Sequence, residues 1–163
     1  MENKIITLAL ADDELLFRRG LISILSKHEH LAILFDADNG KDLIEKLRSS
    51  KTLPEIVITD LKMPELNGVE VTKLIRKEFH TIKIIALTSY FRKSFIMNMI
   101  SIGAAGYLDK NSTPQLMVET IEEVSKVGYY YDRKVMKFIH ESIANPNQKK
   151  IKSKFDTTFF TKR

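Results

Sequence analysis

Short runs of apolar residues recur along this chain, and longer segments with apolar residues at helical spacing separate them. The runs occupy Ile5–Ala11, Leu31–Phe35, Ile56–Thr59, Lys83–Leu87 and Ala104–Leu108. Nearly continuous apolar runs of this length are typical of strands that are buried on both faces of a parallel sheet. The pattern therefore predicts five buried strands.

The segments between and after these runs predict five helices. Four of them span Glu14–Lys27, Lys41–Arg48, Val69–Glu78 and Arg92–Ile102. The fifth is capped by Ser112 or Thr113, carries Pro114 in its first turn and stops at Gly128. In the first helix the apolar residues share an inner face, and three basic residues are expected on the outer face: Arg18, Arg19 and Lys27.

A strand followed by a helix, repeated five times, indicates an α/β fold, because parallel strands need long right-handed crossovers. We predict a flavodoxin-like (βα)5 three-layer sandwich whose five-stranded parallel sheet has the order 2-1-3-4-5. A sixth helix is predicted over Asp132–Ala144. Residues 1–128 then form the main domain, and residues 129–163 form a C-terminal helix and a basic linker. Tyr129–Tyr131 is expected to seal the base of the domain.

The net charge of +5 is distributed unevenly. Residues 133–163 hold nine Lys or Arg against two acids, whereas residues 1–132 hold 17 basic and 19 acidic residues. A basic tail can contact nucleic acid, but without interleaved aromatic residues it is at least as typical of a solvated linker. The lack of cysteine excludes disulfides and thiolate metal sites. Since no apolar stretch approaches the roughly 20 residues of a membrane helix, we expect a cytoplasmic protein with no membrane contact.

Polar residues of types suited to binding or catalysis follow four of the apolar runs. Asp12 and Asp13 come after the first run, and Asp60, Thr88 and Lys110 come after the third, fourth and fifth. In a parallel α/β sheet the residues that end successive strands meet at one edge, where ligands bind. Carboxylates suit Mg²⁺, and a hydroxyl and an ammonium suit phosphoryl oxygens. A carboxylate there can also act as a nucleophile toward phosphorus.

Each of these residues has an ordinary structural explanation when taken alone. An Asp-Asp pair after a strand is more often a turn or a helix cap, and a lysine after a strand is more often a solvated surface residue. Their joint occurrence at four strand ends, in the right order, favours the functional interpretation.

The segments around these positions resemble the receiver domain of two-component response regulators. They read ADDE at 11–14, TDLKMP at 59–64, LTS at 87–89 and GAAGYLDK at 103–110. The last segment is similar to the NarL/FixJ subfamily of transcription factors in particular. The resemblance extends from residue 5 to about residue 127.

This resemblance implies a phosphoacceptor and a metal site. Asp60 would accept a phosphoryl group from a sensor histidine kinase. Asp13 and Asp60 would bind Mg²⁺ directly, helped by the backbone carbonyl of Lys62. Asp12 would act on the metal mainly through water.

The resemblance also implies a conformational switch. Lys110 and Thr88 would contact the phosphoryl group, and Thr88 and Tyr107 would be the switch hydroxyl and the switch aromatic residue. Lys62 and Tyr90, two residues beyond Asp60 and Thr88, match positions that tune dephosphorylation, and we expect them to slow it. Asn111 departs from the family pattern, since many receivers have a cis proline after the lysine.

The end of the chain adds an expectation about output. Phe160–Arg163 resembles the opening of the helix-turn-helix domain of the NarL/FixJ subfamily, and the remainder of such a domain is absent from this sequence. We therefore expect a receiver and linker from a longer regulator. Its phosphorylation would promote a homodimer, and it would reach DNA only through the helix-turn-helix domain.

Two rival functions stay open at this point. A haloacid dehalogenase-type phosphatase also uses a strand-end Asp, a Thr or Ser, a Lys and Mg²⁺, but it needs a general-acid Asp where this chain has Lys62. A pseudo-receiver would be an interaction module that is never phosphorylated. We expect a phosphoacceptor switch and not a turnover enzyme.

Overall fold

A computed structural model of the protein describes residues 3–145. The strands are β1 Ile6–Ala11, β2 Leu31–Ala37, β3 Ile56–Thr59, β4 Lys83–Thr88 and β5 Gly106–Asp109. The helices are α1 Leu15–Leu25, α2 Gly40–Ser49, α3 Gly68–Glu78, α4 Lys93–Ser101, α5 Pro114–Val127 and α6 Arg133–Ala144. The predicted basic linker beyond residue 145 and the helix-turn-helix-like segment at 160–163 lie outside the described residues. No helix within residues 3–145 has the length and apolar character needed to cross a membrane.

The five strands form one parallel sheet in the order β2-β1-β3-β4-β5, which confirms the predicted flavodoxin-like fold. The last residues of β1 and β3 are direct neighbours, because Ala11 pairs with Thr59. Thr88, the last residue of β4, pairs with Asp109, the last residue of β5. The residues that follow the strands therefore lie at one edge of the sheet.

Alternating side chains of the strands pack against helices on the two faces of the sheet. On one face, Leu8 and Leu10 of β1 pack with residues of α1 and α5, and on the other face Ala9 and Ala11 pack with residues of α2 and α3. Burial of apolar surface on both faces is the main stabilising contribution to such a fold.

Polar caps fix the starts of the helices that approach the carboxyl edge. Asn67 accepts a hydrogen bond from the backbone N–H of Glu70, whose side chain accepts one from Asn67 in return. Thr113, and not Ser112, caps α5. The start of α3 also approaches the sheet closely, because a Cβ atom at Gly68 would lie 2.3 Å from the carbonyl oxygen of Asp60. Only glycine fits there.

The sixth helix packs against α4. Val135 is fully buried in a cluster that includes Phe95, Met99 and Tyr107. The Lys134 ammonium lies 4.8 Å from the centroid of the Phe91 ring. The helix is therefore part of the folded body that the structure describes.

The tyrosines before α6 contact the segment that leads into β5. The Tyr130 N–H donates to the Ala105 carbonyl at 2.9 Å, and the Tyr131 hydroxyl donates to the Ala104 carbonyl at 2.7 Å. Tyr129, in contrast, is 58% exposed. The expectation of a sealed base fits Tyr130 and Tyr131, and it is wrong for Tyr129.

Some predicted bounds differ from the observed ones. The fifth strand begins at Gly106 and not at Ala104, because the Ala104 N–H donates to the carbonyl of Met99 and so completes the end of α4. The second strand extends to Ala37. Arg18 was predicted on the outer face of α1, but its side chain is only 11% exposed, because it folds back toward the sheet.

Candidate functional site at the carboxyl edge of the sheet

The predicted acidic cluster is present in the structure. Asp12 and Asp13 lie in the loop after β1, and Asp60 follows β3. The Asp60 N–H donates to the carbonyl of Ala11 at 2.9 Å, which holds the two loops side by side. One carboxylate oxygen from each of the three aspartates lies within 4.8 Å of the others. Asp12 and Asp60 are 6% and 5% exposed.

Lys110 joins this cluster from the end of β5. Its ammonium lies 2.8 Å from Asp12 Oδ2 and 2.9 Å from Asp60 Oδ2. A third carboxylate, that of Glu14, lies 2.6 Å from the same nitrogen. Sequence analysis missed Glu14, although a third acid directly after Asp12 and Asp13 was a signal. Lys110 is thus a buried cation shared by three carboxylates.

Burial and charge shift the pKa values of these groups in opposite ways. Burial raises the pKa of Asp60 to about 6, despite the charge of Lys110. Burial also raises the pKa of Asp12. For Lys110, burial alone would lower the pKa, but the negative charge of Asp60 and hydrogen bonds to the carboxylates raise it above its usual range. Lys110 therefore stays charged at neutral pH.

The Asp60 carboxylate is oriented through both of its oxygens. Oδ1 accepts hydrogen bonds from the backbone N–H groups of Leu61 at 2.7 Å and Lys62 at 3.4 Å. Oδ2 faces the Lys110 ammonium. The side chain is fixed in one orientation, as a nucleophile for in-line attack requires.

A second group of predicted residues lies at the ends of β4 and β5. Thr88 is fully buried, and its hydroxyl oxygen accepts a hydrogen bond from the Tyr90 N–H at 3.1 Å. Tyr107 is 1% exposed, and its hydroxyl donates to the Tyr90 carbonyl. Burial raises the pKa of Tyr107, so the phenol stays protonated. The backbone N–H of Lys110 donates to the Thr88 carbonyl at 3.0 Å. This second group is therefore tied to the acidic cluster.

Arg18 also contacts the cluster, which sequence analysis did not predict. Its Nη1 donates to the backbone carbonyl of Asp12 at 2.6 Å, and its Nε donates to Asp36 Oδ2 at 2.7 Å. A cation in the first turn of a helix opposes the helix dipole, so its position at the start of α1 was a signal that it has another partner.

The donor set fits a magnesium ion. Mg²⁺ binds a few carboxylates and retains several waters, and the three aspartates offer oxygen ligands at a common point. Asp13 is partly exposed, which leaves a side of the cluster open to solvent. Asp12, Asp13 and Asp60 are the residues that would hold the ion.

Comparison with known proteins gives a consistent result. A sequence profile of the response regulator receiver domain matches residues 8–122. The chain is 34% identical over 123 residues to the transcriptional regulatory protein LnrK of Bacillus subtilis, a match covering 76% of this chain and 55% of that protein. It is 30% identical over 134 residues to the transcriptional regulatory protein DegU of Brevibacillus brevis, covering 82% of this chain and 56% of that protein. The chain therefore spans about half the length of these relatives.

Solved structures agree with the sequence comparisons. A LuxR-family DNA-binding response regulator from Staphylococcus aureus superposes with a TM-score of 0.69 and 30% identity, covering 74% of this chain and 99% of that chain. A LuxR-family two-component response regulator from Aurantimonas superposes with a TM-score of 0.78 and 25% identity, covering 86% of this chain and 99% of that chain.

Proposed function

This chain belongs to the response regulator receiver domain family, and from that premise we propose that Asp60 accepts a phosphoryl group from a sensor histidine kinase. The chain then acts as a cytoplasmic signalling switch, not as a turnover enzyme. Residues 1–128 form the receiver domain, and residues 129–163 connect it to its output.

One observation carries the proposal. Asp60 is buried, its carboxylate is oriented by backbone N–H groups, and its Oδ2 lies 2.9 Å from the ammonium of Lys110. A carboxylate that served only the fold would gain little from burial beside two more acids, because burial of charge is costly. This arrangement supports a reacting group.

The reaction transfers a phosphoryl group between two side chains. A carboxylate oxygen of Asp60 attacks the phosphorus of a phosphohistidine, the new O–P bond forms as the N–P bond breaks, and the histidine nitrogen takes back a proton. When bound, Mg²⁺ supplies positive charge that offsets the negative charge of the phosphoryl group. Asp13 and Asp60 would hold the ion with the carbonyl of Lys62, and Asp12 would act on it through water. Lys110 then moves its contact from Asp60 to a phosphoryl oxygen.

The switch begins at Thr88. A phosphoryl oxygen draws the Thr88 hydroxyl toward Asp60, which breaks the hydrogen bond from the Tyr90 N–H. Tyr90 then loses one of its two hydrogen bonds to Thr88 and Tyr107, and it moves. Tyr107, which donates to the carbonyl of Tyr90, repacks with it. The result is a shift in an existing equilibrium at the surface of α4, β5 and α5.

Two residues in the loops after Asp60 and Thr88 tune the lifetime of the phosphoryl group. Lys62 and Tyr90 are both partly exposed, and they follow Asp60 and Thr88 in the loops that border the site. Their side chains hinder the approach of water to the acyl phosphate, so dephosphorylation is slow.

The output of the switch is regulation of transcription. LnrK and DegU are transcriptional regulatory proteins by name and are longer than this chain. By analogy, phosphorylation promotes a homodimer that presents two DNA-binding modules, located beyond the residues described, to paired half-sites.

The test is intact mass after incubation with acetyl phosphate, with and without Mg²⁺, for wild type, Asp60→Asn and the exposed-acid control Asp38→Asn. We expect a gain of one phosphate that needs Mg²⁺, persists in Asp38→Asn and is lost in Asp60→Asn. No gain in the wild type, even after acid quenching within seconds, would overturn the proposal and indicate a pseudo-receiver. Continuous release of phosphate would instead indicate a phosphatase.

A further inference from the structure

The side chain of Arg18 is an unexpected feature of the acidic edge. It starts from the first turn of α1 and folds back over the β1–α1 loop. There it donates one hydrogen bond to the carbonyl of Asp12 at 2.6 Å and another to Asp36 Oδ2 at 2.7 Å. The guanidinium thus connects the loop that bears Asp12 and Asp13 to the end of β2.

The surroundings of Arg18 indicate that its polar contacts contribute little to the stability of the fold. The small cavity beside it is lined mainly by apolar side chains, among them Leu10, Phe17, Leu21 and Ile58. A leucine or a methionine would pack in such a place, and the ion pair with Asp36 adds little to stability, because the Asp36 side chain is 41% exposed. The start of a helix is also an unfavourable position for a cation. A polar contact at this place therefore points to a role beyond stability.

The loop has a specific need for such support. Asp12, Asp13 and Glu14 are three consecutive acids, and two of them converge with Asp60 within 4.8 Å. Their mutual repulsion, which the single charge of Lys110 only partly offsets, favours an opened loop. Arg18 opposes this by fixing the backbone of Asp12.

The other partner of Arg18 is itself anchored. The carbonyl of Asp36 accepts a hydrogen bond from the Lys46 ammonium at 2.7 Å, and the Asp12 N–H donates to the carbonyl of Ala37 at 3.1 Å. The end of β2 is therefore held in place, and Arg18 in turn holds the acidic loop at a fixed position relative to β2.

We propose that Arg18, held by Asp36, is a positioning residue that pre-arranges Asp12 and Asp13 to bind the divalent cation. This inference rests on the proposed function, because it assumes that the three aspartates bind Mg²⁺. Arg18 touches neither the cation nor the phosphoryl group. Its contribution is to keep the ligand oxygens close together before the cation arrives, as partners of metal ligands commonly do.

The experiment measures Mg²⁺ binding directly by isothermal titration calorimetry on the unphosphorylated chain. The variants are Arg18→Met, which keeps the length and apolar packing of the side chain, and Asp36→Ala, which removes its support. The matched control is Arg19→Met, which makes the same change of charge at the exposed neighbouring position. Urea unfolding of each variant without Mg²⁺ separates a loss of stability from a loss of metal affinity.

We expect the Mg²⁺ dissociation constant to rise about tenfold in Arg18→Met, in the range found for partners of metal ligands, and to rise less in Asp36→Ala. Arg19→Met should stay within twofold of the wild type. Equal affinity in Arg18→Met and the wild type would overturn this inference and leave the proposed function intact. No Mg²⁺ binding by the wild type would overturn both. If Arg18→Met does not fold, Asp36→Ala and Arg18→Lys decide the question by the same criterion.

Discussion

Tyr107 donates its hydroxyl hydrogen to the backbone carbonyl of Tyr90, and the N–H of that same residue donates to the hydroxyl of Thr88. A single residue therefore connects the buried threonine at the end of β4 with the buried tyrosine of β5. The ring of Phe91 completes the connection, since it lies edge-on to Tyr107 with the centroids 5.7 Å apart. Movement at Thr88 reaches Tyr107 through one short segment of backbone.

Substitution of Tyr107 by Phe tests this connection. The variant leaves the Tyr90 carbonyl in a buried place without its donor, so we expect the free energy of unfolding to fall by about 1–2 kcal/mol. Urea denaturation at pH 7 measures the change. The control is Tyr129→Phe, at an exposed tyrosine, for which a change within about 0.5 kcal/mol is expected. Equal stability of Tyr107→Phe and the wild type would show that the hydrogen bond contributes nothing.

The raised pKa of Asp60 predicts a pH dependence of stability in the metal-free protein. This pKa is about 6 in the folded chain, against an ordinary value of 3.8. Between these two pH values the folded state binds more protons than the unfolded state, so the contribution of Asp60 to the free energy of unfolding falls as pH rises. The full penalty is present above pH 6.

Substitution of Asp60 by Asn removes this penalty. At pH 7.5, without divalent cations, the variant is expected to be more stable than the wild type by on the order of 1–3 kcal/mol. At pH 4.5 the advantage should shrink to about a third, because Asp60 is then protonated in the folded wild type but is still largely ionised in the unfolded chain. Urea unfolding at both pH values measures this, with Asp38→Asn as the exposed-acid control. A constant difference between Asp60→Asn and the wild type at the two pH values would contradict the prediction.

The proposed hindrance by Lys62 and Tyr90 predicts a longer-lived acyl phosphate in the wild type. Lys62→Ala and Tyr90→Ala should each shorten its half-life by about twofold to tenfold, since tenfold corresponds to about 1.4 kcal/mol in the barrier. Loss of phosphate can be followed by intact mass after removal of the phosphodonor. Lys41→Ala, at an exposed lysine of α2, is the control for Lys62. Half-lives unchanged in both variants would refute the hindrance.

The packing of α6 on α4 predicts unequal effects of two neighbouring residues. Val135 is fully buried and Met136 is 47% exposed. Val135→Ala is expected to lower the free energy of unfolding by about 1–3 kcal/mol, because it removes buried methyl groups and leaves a cavity. Met136→Ala should change it by less than about 0.5 kcal/mol. Similar values for the two variants, measured in urea, would argue against this docking of α6.

Much of the site could be located from the sequence because topology alone positions it. Asp60 and Lys110 are about fifty residues apart in the chain, yet each directly follows a buried strand. In a parallel sheet the residues after the strands meet at one edge whatever the details of packing. The apolar runs that indicate the strands therefore also indicate where these two side chains meet.

The features that the sequence did not reveal depend on the reach of long side chains and on packing between helices. Helical spacing gives the direction in which Arg18 leaves α1, but not the return of its guanidinium toward the sheet. Val135, Phe138 and Ile139 share one face of α6 at helical spacing, and all three pack in the cluster that includes Met99 of α4. Such a pattern does not indicate which neighbour the helix contacts.

Gly68 limits how this site could be redesigned. With a Cβ atom 2.3 Å from the Asp60 carbonyl, any larger residue at position 68 would push the start of α3 away from the acceptor loop or shift the loop itself. Position 68 is therefore closed to substitution in any attempt to alter the site, because a change there would move the backbone that carries the Asp60 carboxylate. Substitutions meant to alter the site without moving that backbone are better made at Lys62 or Tyr90, whose side chains are partly exposed.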